Sequence, residues 1–307
     1  MVKLHVSETV RVNAPPDKVY AIVSDFHQWS PWSPWLIQEP EATVTVQSDG
    51  KSYAWEGSRI GSGRMKVTAE QAGQAIDYDL NFLKPYKSHA KVRFELTAVD
   101  GGTDVTWLLD SSLPFFLFWM KKAMTVFLAM DYRRGLTMLK DLAETGSVPS
   151  ELIFLGKTDY PGCSYVGIRG QGSTSDMNTT MSAAFERVWG LVKDTDLVAS
   201  GAPIAIYHKF DPVANQVSFT CAAPVSELPA RLPDGVISGS IPAMTVYSLR
   251  HVGAYRHLPN AWTTANNLIQ NKVFRVAKPH DPFETYLNMP GQVEEKDLIT
   301  DICYAMR

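Results

Sequence analysis

Six short runs in which apolar and polar residues alternate lie between residues 42 and 112 of this 307-residue chain. They are ATVTVQ, KSYAWEGS, GRMKVTAEQ, AIDYDLNF, HAKVRFELTAV and TDVTWLLDSS, and the turn signals SDG, GSG and VDGG lie among them. Alternation with a period of two places every second side chain on the same face of a sheet. The first half is therefore predicted to form an antiparallel meander or a curved sheet.

One further strand and two helices flank these runs. Leu4, Val6 and Val12 alternate before NAPPDK, and DKVYAIVSDF then has the spacing of a short helix. A long helix closes this half, since one face repeats in steps of three and four through Met120, Met124, Phe127, Asp131, Gly135, Met138 and Leu142. The predicted order is strand, short helix, six strands and long helix, which makes the fold class α+β.

The stretch TGSVPSE is small, polar and contains proline, which is typical of a linker. We therefore expect one domain over residues 1–145, a linker over 146–151 and a second domain over 152–307. An internal repeat follows, at about 160–229 and 243–307, in which Tyr207 aligns with Tyr286 and Cys221 with Cys303. Each repeat reads strand–helix–strand–strand, so a duplicated βαββ domain is predicted, with one antiparallel sheet and both helices on one face.

Charge and composition argue against several classes of function. The net charge is −3 and no Lys/Arg run exceeds two residues, so we expect no nucleic-acid partner. Three cysteines without a CxxC pair favour a reduced, cytoplasmic protein. The most apolar run, LPFFLFWM, is far shorter than the roughly 20 residues of a membrane span. No metal-binding, nucleotide-binding or serine-hydrolase motif is present, so we expect no metal and no cofactor.

The N-terminal half carries an unusual set of aromatic residues. The stretch FHQWSPWSPWLIQEP holds three tryptophans beside prolines that prevent a regular helix. We expect a cavity for a flat or apolar molecule, lined by Trp29, Trp32, Trp35, Trp55, Trp107, Phe115, Phe116 and Trp119. For Trp55 and Trp107 an ordinary core position is favoured instead, whereas both interpretations stay open for the three tryptophans of the loop.

Asp131 falls on the apolar face of the long helix, which allows two interpretations. A desolvated carboxyl group there would have a raised pKa and could hold a ligand or act as an acid. In the favoured alternative the helix is slightly rotated, and Asp131 pairs with Arg134 three residues on.

The stretch FETYLNMP places Glu284 and Tyr286 on one face of a predicted strand. Because the helices need the apolar face, we expect these two residues on the opposite, open face. Tyr207 reaches the same side from the matching strand of the first repeat, and Tyr255 completes the wall. These residues predict a cleft for a cation or an electrophile; a solvated strand face with an incidental glutamate is the alternative.

The first half resembles the SRPBCC superfamily, in its START-like, polyketide cyclase/dehydrase branch. The resemblance rests on VRVNAPPDKVYAIVSDFHQWSPWSPW, YAWEGSRIGSGRMKV and DYRRGLTMLKDLAE, and it covers about residues 3–145. It implies a helix-grip fold, in which a curved antiparallel sheet wraps a long C-terminal helix around a deep hydrophobic cavity with the tryptophan segment near its entrance. Members include lipid carriers and cyclases, so the fold does not determine the function.

The second half resembles the GyrI-like small-molecule-binding domain, which is found as the effector domain of AraC- and MerR-class regulators. The resemblance rests on GAPIAIYHKFDP, HVGAYRHLPNAW, FETYLNMP and TDICYAMR. It implies that Glu284 meets flat, often cationic, aromatic ligands in a cleft where Tyr286 and Tyr255 are wall residues. Some stand-alone members hydrolyse cyclopropane-bearing natural products and others bind DNA gyrase. The chain lacks a recognisable helix-turn-helix, which argues against a transcription regulator.

We therefore expect a two-domain protein that binds small hydrophobic or flat aromatic molecules, cations included, as a sensor, carrier or sequestering protein. The alternative is a hydrolase that opens a strained electrophile, with Glu284 as the catalytic acid or base. The sequence contains no complete nucleophile–base set, which favours binding.

Overall fold

Seven strands form the sheet of the N-terminal unit, Met1–Pro149, in the computed structural model, which describes residues 1–195 and 197–307. They are β1 Val2–Val12, β2 Thr43–Val46, β3 Ser52–Glu56, β4 Ser62–Gln71, β5 Ala75–Lys84, β6 Ser88–Val99 and β7 Gly102–Leu113. Their order is β1-β7-β6-β5-β4-β3-β2, and every neighbouring pair is antiparallel. The predicted meander of six strands, preceded by one further strand, is confirmed.

Helices α1, Pro16–Val23, and α2, Lys121–Thr145, complete this unit. The predicted face of the long helix is wrong at its N-terminal end, because Phe127 is exposed there. The main buried stripe lies one residue further along, at Tyr132, Leu136, Leu139 and Ala143. The α-helix begins only at Lys121, after a six-residue 3₁₀ helix, Phe115–Met120, whose backbone is not helical at Leu117 (φ −102°, ψ 16°). The run of residues before Lys121 therefore does not continue the helical face.

The tryptophan segment forms three single-turn 3₁₀ helices, Phe26–Gln28, Ser30–Trp32 and Leu36–Gln38. Trp29 and Trp32 are buried against the inner face of the sheet, where their rings contact Phe94 and Trp107 edge to face. The Trp29 indole N–H donates to the carbonyl of Val23 at the end of α1, at 2.9 Å. The proline-containing segment thus forms a compact series of turns, and the indoles of Trp29 and Trp32 are part of the hydrophobic core.

Eight strands form the sheet of the C-terminal unit, Ser150–Arg307. They are β8 Ser150–Tyr160, β9 Cys163–Gly172, β10 Ile204–Asp211, β11 Gln216–Val225, β12 Ile237–Ile241, β13 Met244–Gly253, β14 Phe283–Tyr286 and β15 Ile299–Ala305. The order is β12-β9-β11-β10-β14-β15-β13-β8, all antiparallel. The helices are α3 Met177–Asp194 and α4 Pro259–Gln270, with 3₁₀ turns at Tyr255–His257 and Glu295–Asp297. Ser150 and Glu151, which the sequence assigned to the linker, begin β8.

This sheet is curled, because short turns connect its two ends. Two residues separate the end of β8 at Tyr160 from the start of β9, and two residues likewise separate β12 from β13. Ile241 pairs with Cys163, and Met244 pairs with Tyr160. The inside of the curl is apolar and holds Phe283. No helix among the described residues is long and apolar enough to cross a membrane.

Candidate functional site

Glu284 lies on the central strand β14, and its carboxylate accepts hydrogen bonds from three aromatic side chains. The Trp262 indole N–H donates to Oε1 at 2.5 Å, and the Tyr207 hydroxyl donates to Oε2 at 2.9 Å. The Tyr286 hydroxyl also donates to Oε2. The Glu284 residue is only 1% exposed. A buried carboxylate thus has its partners supplied by two strands and one helix.

The two halves of the duplicated domain place the two tyrosines symmetrically. The backbone N–H of Tyr207 donates to the carbonyl of Pro282, and that of Tyr286 donates to the carbonyl of Pro203, both at 2.9 Å. β10 and β14 are paired so that Ala205 lies directly opposite Glu284. Repeat-equivalent positions therefore meet at the centre of the sheet, and both tyrosines point towards one carboxylate.

Aromatic rings surround this carboxylate. The Tyr207 and Trp262 rings are 4.8 Å apart between centroids, at 69°. Tyr286 meets Tyr255 at 5.9 Å and Phe185 of α3 at 5.4 Å, both edge to face. Such contacts fix the orientation of the rings that pack around this negative charge.

The helices lie on either side of the strands that carry the site. α3 packs on β9 and β11, and α4 packs on β13, whereas β10, β14 and β15 lie between these strands in the sheet. The prediction that Glu284 and Tyr286 face away from the helices is wrong, since Trp262 belongs to α4 and Phe185 to α3. The reason is the curl: Phe283 and its neighbours fill the inside, so the helices cover the other face.

Burial controls the electrostatics of the site. Desolvation raises the pKa of the Glu284 carboxyl, while hydrogen bonds from Tyr286, Trp262 and Tyr207 act in the opposite direction. Burial, followed by the charge of Glu284, raises the pKa of Tyr207 and of Tyr286 well above the ordinary range. The same two causes raise the pKa of Tyr255 to about 12. Tyr207 and Tyr286 are therefore neutral hydrogen-bond donors to a single ionisable acid, and Tyr255 is a neutral phenol beside them.

The N-terminal unit contains a cavity of about 70 Å³, enclosed largely by aromatic and aliphatic side chains. Its lining consists of Trp29, Ser33, Trp35, Tyr53, Trp55, Ile60, Met65, Leu80, Phe82, Val92, Trp107 and Tyr132. A cavity that binds benzene measures about 150 Å³. In this conformation the cavity is therefore too small for a sterol or a fatty-acid chain, and such a ligand requires the lining to move.

Not every predicted aromatic reaches this cavity. Trp29, Trp35, Trp55 and Trp107 line it, whereas Trp32 is fully buried in the core outside the lining. Phe115, Phe116 and Trp119 are exposed, because they lie on the 3₁₀ helix beyond the end of β7. Sequence reasoning missed Tyr53 and Tyr132 here, as well as Trp262 and Phe185 at the other site. The alternation that selects Trp55 also selects Tyr53, so that signal was available.

Asp131 is paired with Arg134, as the favoured interpretation has it. A carboxylate oxygen of Asp131 lies 2.6 Å from the guanidinium of Arg134, whose side chain is buried. The other oxygen accepts from the Trp35 indole N–H at 3.3 Å, and Arg134 also donates to the Pro34 carbonyl at 3.3 Å. The pair thus ties the tryptophan segment to α2.

Among the described residues, no group of three or more His, Cys, Asp or Glu side chains is arranged to hold a metal ion.

Comparison with known proteins identifies a family for each unit. Residues 3–144 match the family model described as polyketide cyclase / dehydrase and lipid transport. Residues 158–307 match the model of the GyrI-like small molecule binding domain. A search of curated proteins found no match.

Several solved structures are similar to parts of the chain. EcmrR in complex with DNA shares 14% identity over 63% of this chain and 72% of that chain, with a TM-score of 0.44. The C-terminal domain of EcmrR shares 15% over 52% and 98%, with a TM-score of 0.42. Protein MLL2253 from Mesorhizobium loti shares 16% over 45% and 95%, with a TM-score of 0.35. The two family matches show that the chain joins a polyketide cyclase/dehydrase-type domain to a GyrI-like small-molecule-binding domain.

Proposed function

We propose that the C-terminal domain binds a flat aromatic cation at Glu284 and that the protein acts as a sensor, carrier or sequestering protein for it. The observation that supports this proposal is a single buried carboxylate enclosed by aromatic rings. A carboxylate out of water attracts a cation more strongly than one on the surface, because the effective dielectric constant around it is lower. Aromatic faces add cation–π attraction and exclude water.

Binding requires one of the present partners of Glu284 to give way. Trp262 is the best candidate, because it is half-buried and is the only donor to Oε1 among the described residues. Rotation of this indole would expose one carboxylate oxygen while both tyrosine hydroxyls kept the other in place. The ligand would then lie on the rings of Tyr207 and Tyr286.

The hydrolase alternative has less support from this geometry. A glutamate that activates water must accept a hydrogen bond from that water. The two carboxylate oxygens offer about four acceptor positions, and three donors already occupy three of these positions. The arrangement holds the charge in place and leaves little capacity for a reacting water, which favours binding.

A pair of probes of the same shape tests the proposal. At mildly alkaline pH 9-aminoacridine is a planar cation and acridine is neutral, so their affinities separate charge from shape. The variant Glu284→Gln should weaken 9-aminoacridine by about 10- to 100-fold, the usual effect of losing a charged hydrogen-bond partner. Acridine should change little. The matched control is Glu227→Gln at an exposed position, which should affect neither probe.

Two results would contradict the proposal. Equal weakening of both probes would mean that the substitution damages the shape of the site and that the charge is not recognised. Unchanged affinity for 9-aminoacridine in a correctly folded Glu284→Gln protein would place the ligand elsewhere. Because Glu284 is buried, a circular dichroism melt of each variant is part of the experiment.

A further inference from the structure

The segment between β7 and α2 exposes an unusual amount of aromatic surface. Phe115, Phe116, Phe118 and Trp119 are each 63 to 73% exposed on the 3₁₀ helix Phe115–Met120. Phe127, two turns into α2, is exposed as well. Scattered apolar residues on a surface are ordinary, but four large aromatics within five positions make a contiguous patch of the kind that marks an interaction site.

A second exposed segment lies at the same end of the sheet. The β5–β6 hairpin turns at residues 85–87, where Tyr86 is 83% exposed and Leu83 is also exposed. Phe82 pairs with Ser88, and Ala90 pairs with Ser111 of β7. The hairpin tip and the end of β7 at Leu113 therefore lie at the same end of the strands. The two segments together define the aromatic end of the N-terminal unit, residues 83–88 and 113–122.

Lysines border the aromatic end, and acidic residues are absent from both of its segments. Lys84 and Lys87 are exposed in the hairpin, and Lys121 and Lys122 are exposed directly after Met120. Within the part of the chain that the structure describes, only Lys84 of these four forms an ion pair, with the exposed Glu56. The surface therefore combines aromatic rings with an excess of positive charge.

We propose that the aromatic end is a docking surface for an anionic lipid bilayer. Aromatic side chains, tryptophan above all, favour the boundary between headgroups and acyl chains. Each lysine held near an anionic membrane surface adds roughly 1 kcal/mol of attraction. Aromatic rings and lysines occur together at this end of the sheet. This combination matches a bilayer interface, where anionic headgroups lie above apolar acyl chains.

The charge pattern argues against a second copy of the chain as the occupant. In a twofold dimer the same patch meets itself, so the lysines of one copy would approach those of the other. The described part of the aromatic end offers no acidic side chain of its own to compensate. A negatively charged lipid surface has no such penalty.

Docking of the aromatic end would bring the N-terminal cavity close to the membrane. Phe82 lines the cavity and directly precedes Leu83 of the aromatic end. An apolar molecule dissolved in the bilayer would then reach the cavity without crossing water. This inference does not depend on the proposed function of Glu284, which lies in the other unit.

Vesicle co-sedimentation of the full-length protein tests the proposal. The wild type should sediment with vesicles of phosphatidylcholine and phosphatidylglycerol and much less with phosphatidylcholine alone. Removing the aromatic component with Phe116→Ser/Trp119→Ser should lower the partition coefficient by at least about tenfold, since two rings no longer enter the interface. Reversing the charge with Lys121→Glu/Lys122→Glu should lower it by a similar factor on anionic vesicles only.

Matched controls are available on other exposed positions of the chain. Phe210→Ser removes an exposed ring from β10, and Lys18→Glu/Lys193→Glu reverses two exposed lysines elsewhere. These variants should bind vesicles as the wild type does, and all variants should melt at the wild-type temperature because the residues are exposed.

Three outcomes would overturn the proposal. The first is wild-type protein that stays in the supernatant with anionic vesicles. The second is binding that survives both double substitutions. The third is a wild-type dimer in sedimentation velocity that Phe116→Ser/Trp119→Ser turns into a monomer, with no vesicle binding, since a protein partner would then cover the patch.

Discussion

The ion pair between Asp131 and Arg134 allows a test of whether this acid serves structure or ligand binding. The perturbation is Asp131→Ala, which leaves the buried Arg134 guanidinium without this anionic partner. Removing one member of a fully buried ion pair typically costs about 3–5 kcal/mol. Asp131 retains 21% exposure of its side chain and Arg134 keeps its bond to the Pro34 carbonyl, so the expected loss is smaller, about 2–3 kcal/mol.

A double-mutant cycle isolates the interaction from the other effects of each substitution. Arg134→Met removes the charge but keeps much of the apolar stem, so Asp131→Ala/Arg134→Met should be less destabilised than the sum of the single variants. The expected coupling energy is about 1–2 kcal/mol, within the range of contacting residues. The matched control is Glu8→Ala, which breaks an ion pair with Arg133, whose side chain is 65% exposed. That variant should lose less than about 1 kcal/mol.

Urea denaturation followed by tryptophan fluorescence is a suitable assay. Of the eight tryptophans, only Trp189 and Trp262 lie outside the N-terminal unit, so the signal reports mainly on the unit under test. A loss below about 0.5 kcal/mol for Asp131→Ala, or a coupling energy near zero, would refute the structural interpretation. Asp131 would then be free to serve a ligand.

Three further predictions concern pH and glycine positions. Burial lowers the pKa of His251 to about 4, so the unfolded chain takes up a proton at a higher pH than the folded protein does. The free energy of unfolding should therefore fall by up to about 3 kcal/mol between pH 6.5 and 4. His251→Gln should flatten that part of a pH–stability curve. Gly63→Ala would place a methyl group 2.3 Å from the Trp55 ring and should cost about 1–3 kcal/mol in urea denaturation, whereas Gly172→Ala, with nothing within 4 Å, should be tolerated. Gly190→Ala, inside α3 and also free of contacts within 4 Å, should raise stability by about 0.5–1 kcal/mol, and an unchanged melting temperature would contradict this.

Local patterns were enough to predict the elements, whereas tertiary geometry decided which face each one presents. Alternation found the six-strand meander because one face of each of those strands is more buried than the other, even in β2 and β3, where that face is only half-buried. It misplaced Glu284 because the curled sheet buries Phe283 inside and Glu284 beneath the helices, so both faces of β14 are covered. Strand parity alone cannot tell which of two covered faces meets a helix.

The aromatic residues show the same limit. Composition correctly drew attention to the tryptophans, but it could not separate Trp32 in the core from Trp119 on the surface. That difference depends on where β7 ends and on the break in helical backbone at Leu117, neither of which hydrophobicity encodes. The Trp262 indole reaches Glu284 only through the placement of α4, so no spacing in the sequence indicated that contact.

The pairing of Ala205 with Glu284 makes the two repeats chemically different at the axis between them. Only the position on the axis between the two repeats faces its own counterpart, so an identical pair of glutamates there would lie about 4.5–5.5 Å apart between Cβ atoms. Away from water, two such acids would compete for one proton and neither repeat would differ from the other. One alanine removes that competition and makes the two sides of the axis unequal. A planar ligand with its charge at one end could then enter in one orientation only, so a single methyl side chain gives polarity to a nearly symmetric frame.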